Sequence, residues 1–274
     1  MNPLNQSLEN HYLKEGLFED ILGRLSEMGK DPGNILREDI AGVDEFHVRG
    51  AAVSKELAAS VDLTDRTVLD IGCGLGGPCR MLADTYNCRV TGIDLSAEFI
   101  RTATKLSELV GLGSKTRFVQ GDAAALPFPD ATFDVVWTQH VQMNVPDKRQ
   151  FYSEASRVLR PEGYFMYYDI LKDNGKSVGY PMPWAGSAEQ SFLFTNRDLE
   201  GILTGLRLRK VTTTDQTSAG IEFFEGLLAR IAESGPPKIG LNVLMGASTK
   251  PKLTNLLAHL KSGALMLESG VYRK

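Results

Sequence analysis

A short apolar run that ends in a glycine-rich turn restricts the fold of this chain more than any other feature. Residues 67–71 read Thr-Val-Leu-Asp-Ile, residues 72–77 read Gly-Cys-Gly-Leu-Gly-Gly, and a helical pattern extends over 76–86. Unbroken apolar character predicts a strand that is buried on both faces, as in a parallel sheet. Glycine lets the backbone turn sharply and approach a ligand closely. The sequence therefore predicts a strand, a ligand-binding turn and a helix, in that order.

Strands and helices continue to alternate after this unit. Further strands are predicted at 89–94, 116–120, 133–138 and 164–169, with helices at 96–110 and 147–159 between them. This alternation implies a parallel sheet that is covered on both faces and joined by right-handed crossovers. The predicted fold class is therefore α/β, a Rossmann-like doubly wound sheet.

The remaining segments suggest additions to this domain. Residues 1–62 read as an N-terminal helical cap whose second helix runs from about 44 to 60, and residues 63–274 form the main domain. Insertions are predicted at about 171–195 and 215–262. Insertions of this length usually serve as a lid or as a substrate-facing loop. A chain of 274 residues fits one large α/β domain with such additions.

Composition argues against several classes of function. The net charge of −4 gives no support for binding a nucleic acid. The odd number of cysteines, without a CxxC pair, argues against a disulfide framework or a zinc site and fits a cytoplasmic protein. The four histidines are widely separated, so we expect no metal: His11, His47, His140 and His259. No window approaches 18 uncharged apolar residues, so no membrane span is expected, and the sequence leaves a homodimer open.

Three aspartates lie at the carboxyl ends of adjacent predicted strands, where open α/β sheets bind ligands. Asp70 precedes the glycine turn, and a carboxylate there suits the cationic amino-acid end of S-adenosylmethionine (SAM) but repels a pyrophosphate. Asp94 ends the second strand, where a carboxylate can accept hydrogen bonds from both hydroxyls of a ribose. Enzymes that bind SAM and enzymes that bind NAD both use this contact, so it does not distinguish them. Asp122 follows the third strand and is expected to accept a hydrogen bond from the adenine amino group. Each aspartate has a competing interpretation as a helix cap.

Several segments taken together resemble the class I SAM-dependent methyltransferases. The resemblance covers roughly 67–169 and rests on these segments: 70–76 (DIGCGLG), 92–96 (GIDLS), 121–123 (GDA), 126–128 (LPF), 133–136 (FDVV) and 158–163 (VLRPEG). Within the class, the chain is similar to the branch with the ubiquinone/menaquinone-biosynthesis enzymes and the sarcosine/dimethylglycine N-methyltransferases. The resemblance implies seven strands with the last one antiparallel, SAM as cofactor, S-adenosylhomocysteine (SAH) as product, and a small-molecule acceptor.

The resemblance also places the site residues. The expected cofactor-binding residues are Asp70, Gly72, Gly74, Gly76, Asp94, Leu95, Asp122, Ala123 and Gln139. The expected substrate residues are His140, Met143, Asn144, Tyr168 and Trp184. His140 is the candidate general base, because it follows the fourth strand at its carboxyl end and histidine titrates near neutrality. The alternative is a histidine that only contacts the substrate or the cofactor, or that is structural. Arg49 or His47 is a candidate for the SAM carboxylate, with an ordinary amphipathic helix as the equal alternative.

Two other functions stay open at this point. Gly72, Gly74 and Gly77 also satisfy G-x-G-x-x-G, so an NAD-dependent oxidoreductase is the first alternative. A SAM-binding protein without catalytic activity is the second. The acceptor atom, whether nitrogen, oxygen or carbon, is not determined by the sequence.

Overall fold

One seven-stranded sheet organises the chain, in a computed structural model that describes residues 16–173 and 175–274. The strands are β1 (Thr67–Ile71), β2 (Arg89–Asp94), β3 (Thr116–Gln120), β4 (Phe133–Gln139), β5 (Leu159–Lys172), β6 (Arg209–Asp215) and β7 (Leu265–Arg273). Their order is β3-β2-β1-β4-β5-β7-β6. β1 to β5 pair in parallel, whereas β7 is antiparallel to both β5 and β6. The predicted α/β sheet with an antiparallel last strand is confirmed.

Helices cover the sheet and extend it at the N-terminus. They are α1 (Leu17–Glu27), α2 (Arg37–Asp44), α3 (Ala51–Ala58), α4 (Gly77–Thr85), α5 (Ala97–Leu109), α6 (Lys148–Val158), α7 (Asn196–Gly205), α8 (Thr217–Ser234), α9 (Asn242–Met245) and α10 (Thr249–Lys261). Residues 1–15 of the predicted cap lie outside the described residues. Among the helices that are described, none is long and apolar enough to cross a membrane.

The predicted second helix, 44–60, is wrong, because the chain breaks between α2 and α3. Arg49 and Gly50 both adopt positive φ angles, 68° and 51°, which a right-handed helix excludes. α2 therefore ends at Asp44 and α3 begins at Ala51. The break turns Glu45 and His47 inward, and both are more than nine-tenths buried.

Close packing fixes the glycine turn after β1. Gly72 has a φ of 74°, and a Cβ built on it would lie 2.2 Å from a methyl carbon of Val141. A Cβ on Gly77 would lie 2.4 Å from the backbone oxygen of Asp44. Contacts this short exclude any side chain, so both positions require glycine. The turn thereby packs against the segment after β4 and against the N-terminal helices.

Two segments outside the alternating core cover one end of the sheet. After β5, the described part of residues 173–195 contains a short 3₁₀ turn, Ala188–Gln190, and an isolated β-bridge between Met182 and Ala185. Between β6 and β7 the chain forms α8, α9 and α10. These segments coincide with the two predicted insertions, and the exact domain boundaries stay a prediction.

Candidate active site

A cavity of about 290 Å³ opens at the carboxyl ends of β1 to β4. Its volume is close to the lower end of the range for small-molecule sites, roughly 300–1,000 Å³. Five of its lining residues are aspartates: Asp44, Asp70, Asp94, Asp122 and Asp147. None of the lining residues that the structure describes is a lysine or an arginine. A cavity with this charge favours a ligand that carries positive charge.

Asp94 ends β2 and holds the glycine turn in place. Its Oδ2 accepts a hydrogen bond from the Gly74 amide (2.9 Å), and its Oδ1 accepts one from the Ser96 amide (2.9 Å). Burial raises the pKa of this carboxyl. Each carboxylate oxygen has more than one lone pair, so Asp94 can still accept from two hydroxyls of a ligand.

Asp70 is 2 % exposed at the end of β1. Its Oδ2 accepts a hydrogen bond from the Cys79 thiol (3.2 Å). Burial raises the pKa of this carboxyl to about 7. A cationic ligand nearby would favour the ionised form and expel the proton.

The third strand contributes a polar turn. Asp122 and Ala123 follow β3 and line the cavity together with Leu95, which follows β2. The Asp122 Oδ1 accepts a hydrogen bond from the Ala124 amide at 2.8 Å. The sequence placed all three residues at this edge of the sheet, and the structure brings them to one cavity.

Gln139 presents an amide donor at the end of β4. The Trp137 indole donates to its Oε1 (2.9 Å), which fixes the orientation of the amide, and the Ser54 oxygen lies 3.3 Å from the same atom. Its Nε2 is buried and has no hydrogen-bond partner among the residues that the structure describes. A buried hydrogen-bond donor without a partner costs free energy. This amide therefore favours a ligand that accepts a hydrogen bond at this point, for example through a carboxylate.

His140 follows Gln139 in a left-handed backbone conformation, with φ at 53°. Its backbone amide donates to the Tyr168 carbonyl (2.8 Å), and its ring centroid lies 4.8 Å from that of Tyr168. Its Nε2 is buried without a partner. Burial and the nearby His47 keep the pKa of His140 well below its usual value, so the imidazole is uncharged at neutral pH.

A second, apolar cavity of about 50 Å³ adjoins the first. Three residues line both cavities and form the junction between them: Phe46, His47 and His140. Met143 and Trp184 line the apolar cavity, whereas Asn144 lines the large one. The rest of the apolar cavity comes mainly from the helices between β6 and β7.

Comparison with known proteins identifies the family. Residues 69–167, from β1 to β5, match the family model described as a methyltransferase domain. The part of the chain from β1 to β5 is therefore a methyltransferase domain. This decides against the oxidoreductase alternative, which rested on the glycine spacing alone.

The proteins to which this chain is similar are named for different acceptors. The 2-methyl-6-phytyl-1,4-hydroquinone methyltransferase of Synechocystis is 37 % identical over 162 residues, which is 55 % of this chain and 49 % of that protein. The geranyl diphosphate C-methyltransferase of Streptomyces coelicolor superposes with a TM-score of 0.73 at 18 % identity, covering 99 % of this chain and 98 % of that one. A putative sarcosine dimethylglycine methyltransferase of Galdieria sulphuraria gives 0.67 at 17 % identity, covering 94 % and 98 %. At these identities the two structures show the fold alone.

Three of the expected site residues do not line either cavity of the methyltransferase. A Cβ on Gly76 would lie 2.7 Å from the Phe118 ring, so packing requires this glycine. Tyr168 is fully buried behind His140 and contacts its ring. The Arg49 guanidinium pairs with Glu56 (2.5 Å) and donates to Gln216 (2.8 Å), so it is directed away from the site.

Sequence reasoning missed a buried polar network beside the junction. The Ser54 hydroxyl donates to Glu45 Oε2 (3.0 Å), and the His47 Nε2 lies 3.0 Å from the Ser54 oxygen and 3.2 Å from Glu45 Oε2. Only the break in the predicted helix brings these three residues together. The sequence signal for that break was Gly50, which our prediction placed inside a helix.

Proposed function

We propose that this chain binds SAM in the large cavity and transfers its methyl group to a small-molecule acceptor. The observation that supports this most is the acidic lining of the large cavity, because SAM carries a sulfonium and an ammonium. Asp44 is paired with the buried Arg80 (2.6 Å), and four further aspartates line the cavity: Asp70, Asp94, Asp122 and Asp147. The matched part of the chain spans about half the length of the hydroquinone methyltransferase, so the activity is inferred rather than transferred from it.

The residues present fit the parts of SAM. Asp94 and Leu95 would hold the ribose, and Asp122 and Ala123 the adenine. The backbone of the turn at Gly72 and Gly74 leaves room for the amino-acid end, where Asp70 would face the ammonium. The unpartnered Gln139 amide would donate to the SAM carboxylate. Each polar group of the ligand thereby meets a complementary group.

Methyl transfer to a bound acceptor needs mainly alignment. The sulfonium is already a good leaving group, so the chain has to hold the nucleophile, the methyl carbon and the sulfur in line. Positioning of this kind supplies about 7–11 kcal/mol in favourable cases. His140 lies at the junction of the two cavities, Asn144 lines the large cavity, and Met143 and Trp184 line the apolar one. Together these residues would hold the acceptor.

Replacing Asp94 with alanine is expected to weaken SAM binding by about 1–3 kcal/mol, the cost of losing a buried hydrogen-bond acceptor. Calorimetric titration measures this directly. Asp130→Ala removes an exposed carboxylate outside the cavity and serves as the control. An unchanged affinity in Asp94→Ala would refute the ribose assignment.

Binding of SAH is expected to strengthen as pH rises through 7. The SAH ammonium prefers the ionised form of Asp70, whose pKa in the free protein is about 7. At lower pH, binding must first expel a proton, so the dissociation constant at pH 6 should be about tenfold larger than at pH 8. Asp70→Asn removes the titrating group and should flatten this dependence. A wild-type profile as flat as that of Asp70→Asn would exclude a role for Asp70.

Turnover with a panel of acceptors tests the proposal as a whole. Purified protein, SAM and separate pools of amines, phenols and quinols should release SAH with at least one pool, and Asp94→Ala should reduce that release. SAM binding without SAH release from any pool would favour the non-catalytic alternative. A cytoplasmic location and a homodimer stay predictions from the sequence.

A further inference from the structure

The apolar cavity restricts which acceptors can reach the junction. Among its described lining residues, only His47 and His140 can titrate, and the others are apolar. The Trp184 indole nitrogen donates to the Ser191 hydroxyl (2.9 Å), so its polar atom is already satisfied. A phosphate, carboxylate or ammonium group entering this cavity would lose its hydration and find no counter-charge. The cavity therefore favours an uncharged acceptor.

His47 has the geometry of a base that is ready to accept a proton. Its Nε2 lies 3.0 Å from the Gly50 carbonyl oxygen, which can only accept, so Nε2 carries the hydrogen of the neutral ring. The lone pair of the ring is then on Nδ1. Burial lowers the pKa of His47 to about 4, so the ring is uncharged at neutral pH and this lone pair is free.

The surroundings of His47 also suit the charge that would form on it. Glu45 Oε2 lies 3.2 Å from Nε2. Burial and the neighbouring Asp44 raise the pKa of Glu45 to about 8. A positive charge on His47 would favour ionisation of the Glu45 carboxyl, and the carboxylate would then offset the positive charge of the imidazolium.

His140 lacks such a partner. Its Nε2 is buried and unpartnered, and its ring centroid lies 6.0 Å from that of His47. The contacts described for its side chain are ring contacts with His47 and Tyr168. An imidazolium at this position would be a buried charge without a counter-charge, whereas a neutral ring can hydrogen-bond an acceptor molecule.

We propose, on the basis of the methyltransferase function above, that the acceptor is an uncharged apolar phenol and that His47, not His140, takes its proton. The phenolic oxygen forms a bond to the methyl carbon, and the electron pair of the breaking carbon–sulfur bond stays on sulfur, giving SAH. The phenolic proton moves to His47 Nδ1. Positive charge passes from the sulfonium to the imidazolium, so the net charge of the reacting groups does not change.

The apolar cavity accommodates a ring by a small rearrangement. Its volume of about 50 Å³ is below the roughly 150 Å³ of a cavity that binds benzene. Two of its lining residues are methionines, Met143 and Met245, whose unbranched side chains repack easily. The alkyl and aryl part of the acceptor would lie against these side chains, with the hydroxyl at the junction.

Binding to the SAH-loaded protein tests the acceptor class. We expect 4-alkylphenols from ethyl to hexyl to bind by calorimetry at least tenfold more tightly than sarcosine, phosphoethanolamine or geranyl diphosphate, and to yield methyl ethers when SAM replaces SAH. If SAH binds but a charged compound binds more tightly than every phenol, the inference is wrong while the proposed function stands. If SAH does not bind, the proposed function itself fails.

The role of His47 is tested by His47→Gln. We expect kcat with 4-ethylphenol to fall at least 100-fold, the scale of general-base catalysis, while SAH affinity changes less than threefold. The 2,6-difluoro analogue of 4-ethylphenol is more acidic, so removal of its proton depends less on a general base. With this analogue, the ratio of wild-type to variant kcat should be at least threefold smaller than with 4-ethylphenol. His259→Gln changes a histidine outside both cavities and is the control. An equal ratio for both phenols would contradict proton transfer to His47.

Discussion

Replacing Arg80 with methionine should lower the free energy of unfolding by about 3–5 kcal/mol, the cost of breaking a buried ion pair from one side. Arg80 is fully buried, and its guanidinium donates to Asp44 Oδ2 (2.6 Å), the Leu75 carbonyl (2.6 Å) and the Ser107 hydroxyl (3.1 Å). One side chain thus joins the N-terminal helix α2, the glycine turn and α5. Without it, the Asp44 carboxyl stays buried without a hydrogen-bonded cation, and only the more distant charge of Arg37 offsets its desolvation.

Chemical denaturation with an exposed control measures this cost. Arg160→Met removes the partner of Asp134 at the surface, where both side chains are partly exposed, and should cost about 0–1 kcal/mol. Adding Asp44→Asn to Arg80→Met should recover part of the loss, because the unpaired charge is removed. If Arg80→Met alone lowered the free energy of unfolding by less than about 1 kcal/mol, the Arg80–Asp44 pair would not stabilise the packing of α2 against the glycine turn.

The second large effect is expected in turnover, from His140→Asn. We expect kcat to fall by about 100-fold while SAH affinity changes less than threefold, because His140 lies at the junction where the acceptor would be positioned and a misplacement of about 1 Å costs this much. Asparagine tolerates the positive φ of this position, so the backbone should be preserved. Steady-state kinetics with calorimetry on the same preparation separates the two quantities.

Two outcomes would change the assignment of His140. Equal losses in kcat and in SAH affinity would make it a cofactor-binding residue. An increase in KM with unchanged kcat would mean that its contact with the acceptor is equally strong before and during the transfer. Neither outcome would support a contact between His140 and the acceptor that forms only in the transition state.

The sheet and the cofactor end of the site could be predicted because they follow from local rules. Apolar runs predicted β1 to β5, and parallel strands end at one edge, so the side chains that follow them meet there. Asp70, Asp94, Asp122 and Gln139 consequently line one cavity. No long-range contact had to be known to place them.

The acceptor end could not be predicted because it depends on a backbone conformation and on distant packing. Apolar periodicity continued through 44–60, and nothing in it showed that Arg49, which is not a glycine, adopts a positive φ. That break is what carries Glu45 and His47 to the junction. The apolar cavity likewise needs residues from Phe46 to Leu256, which only the tertiary fold brings together.

Calorimetric titration of the purified chain with SAM and, separately, with NAD tests the central claim most directly. The three cavity aspartates at the strand ends, Asp70, Asp94 and Asp122, predict micromolar binding of SAM and of SAH, and no heat from NAD. Binding of NAD without binding of SAM would contradict the assignment of the large cavity and every step built on it.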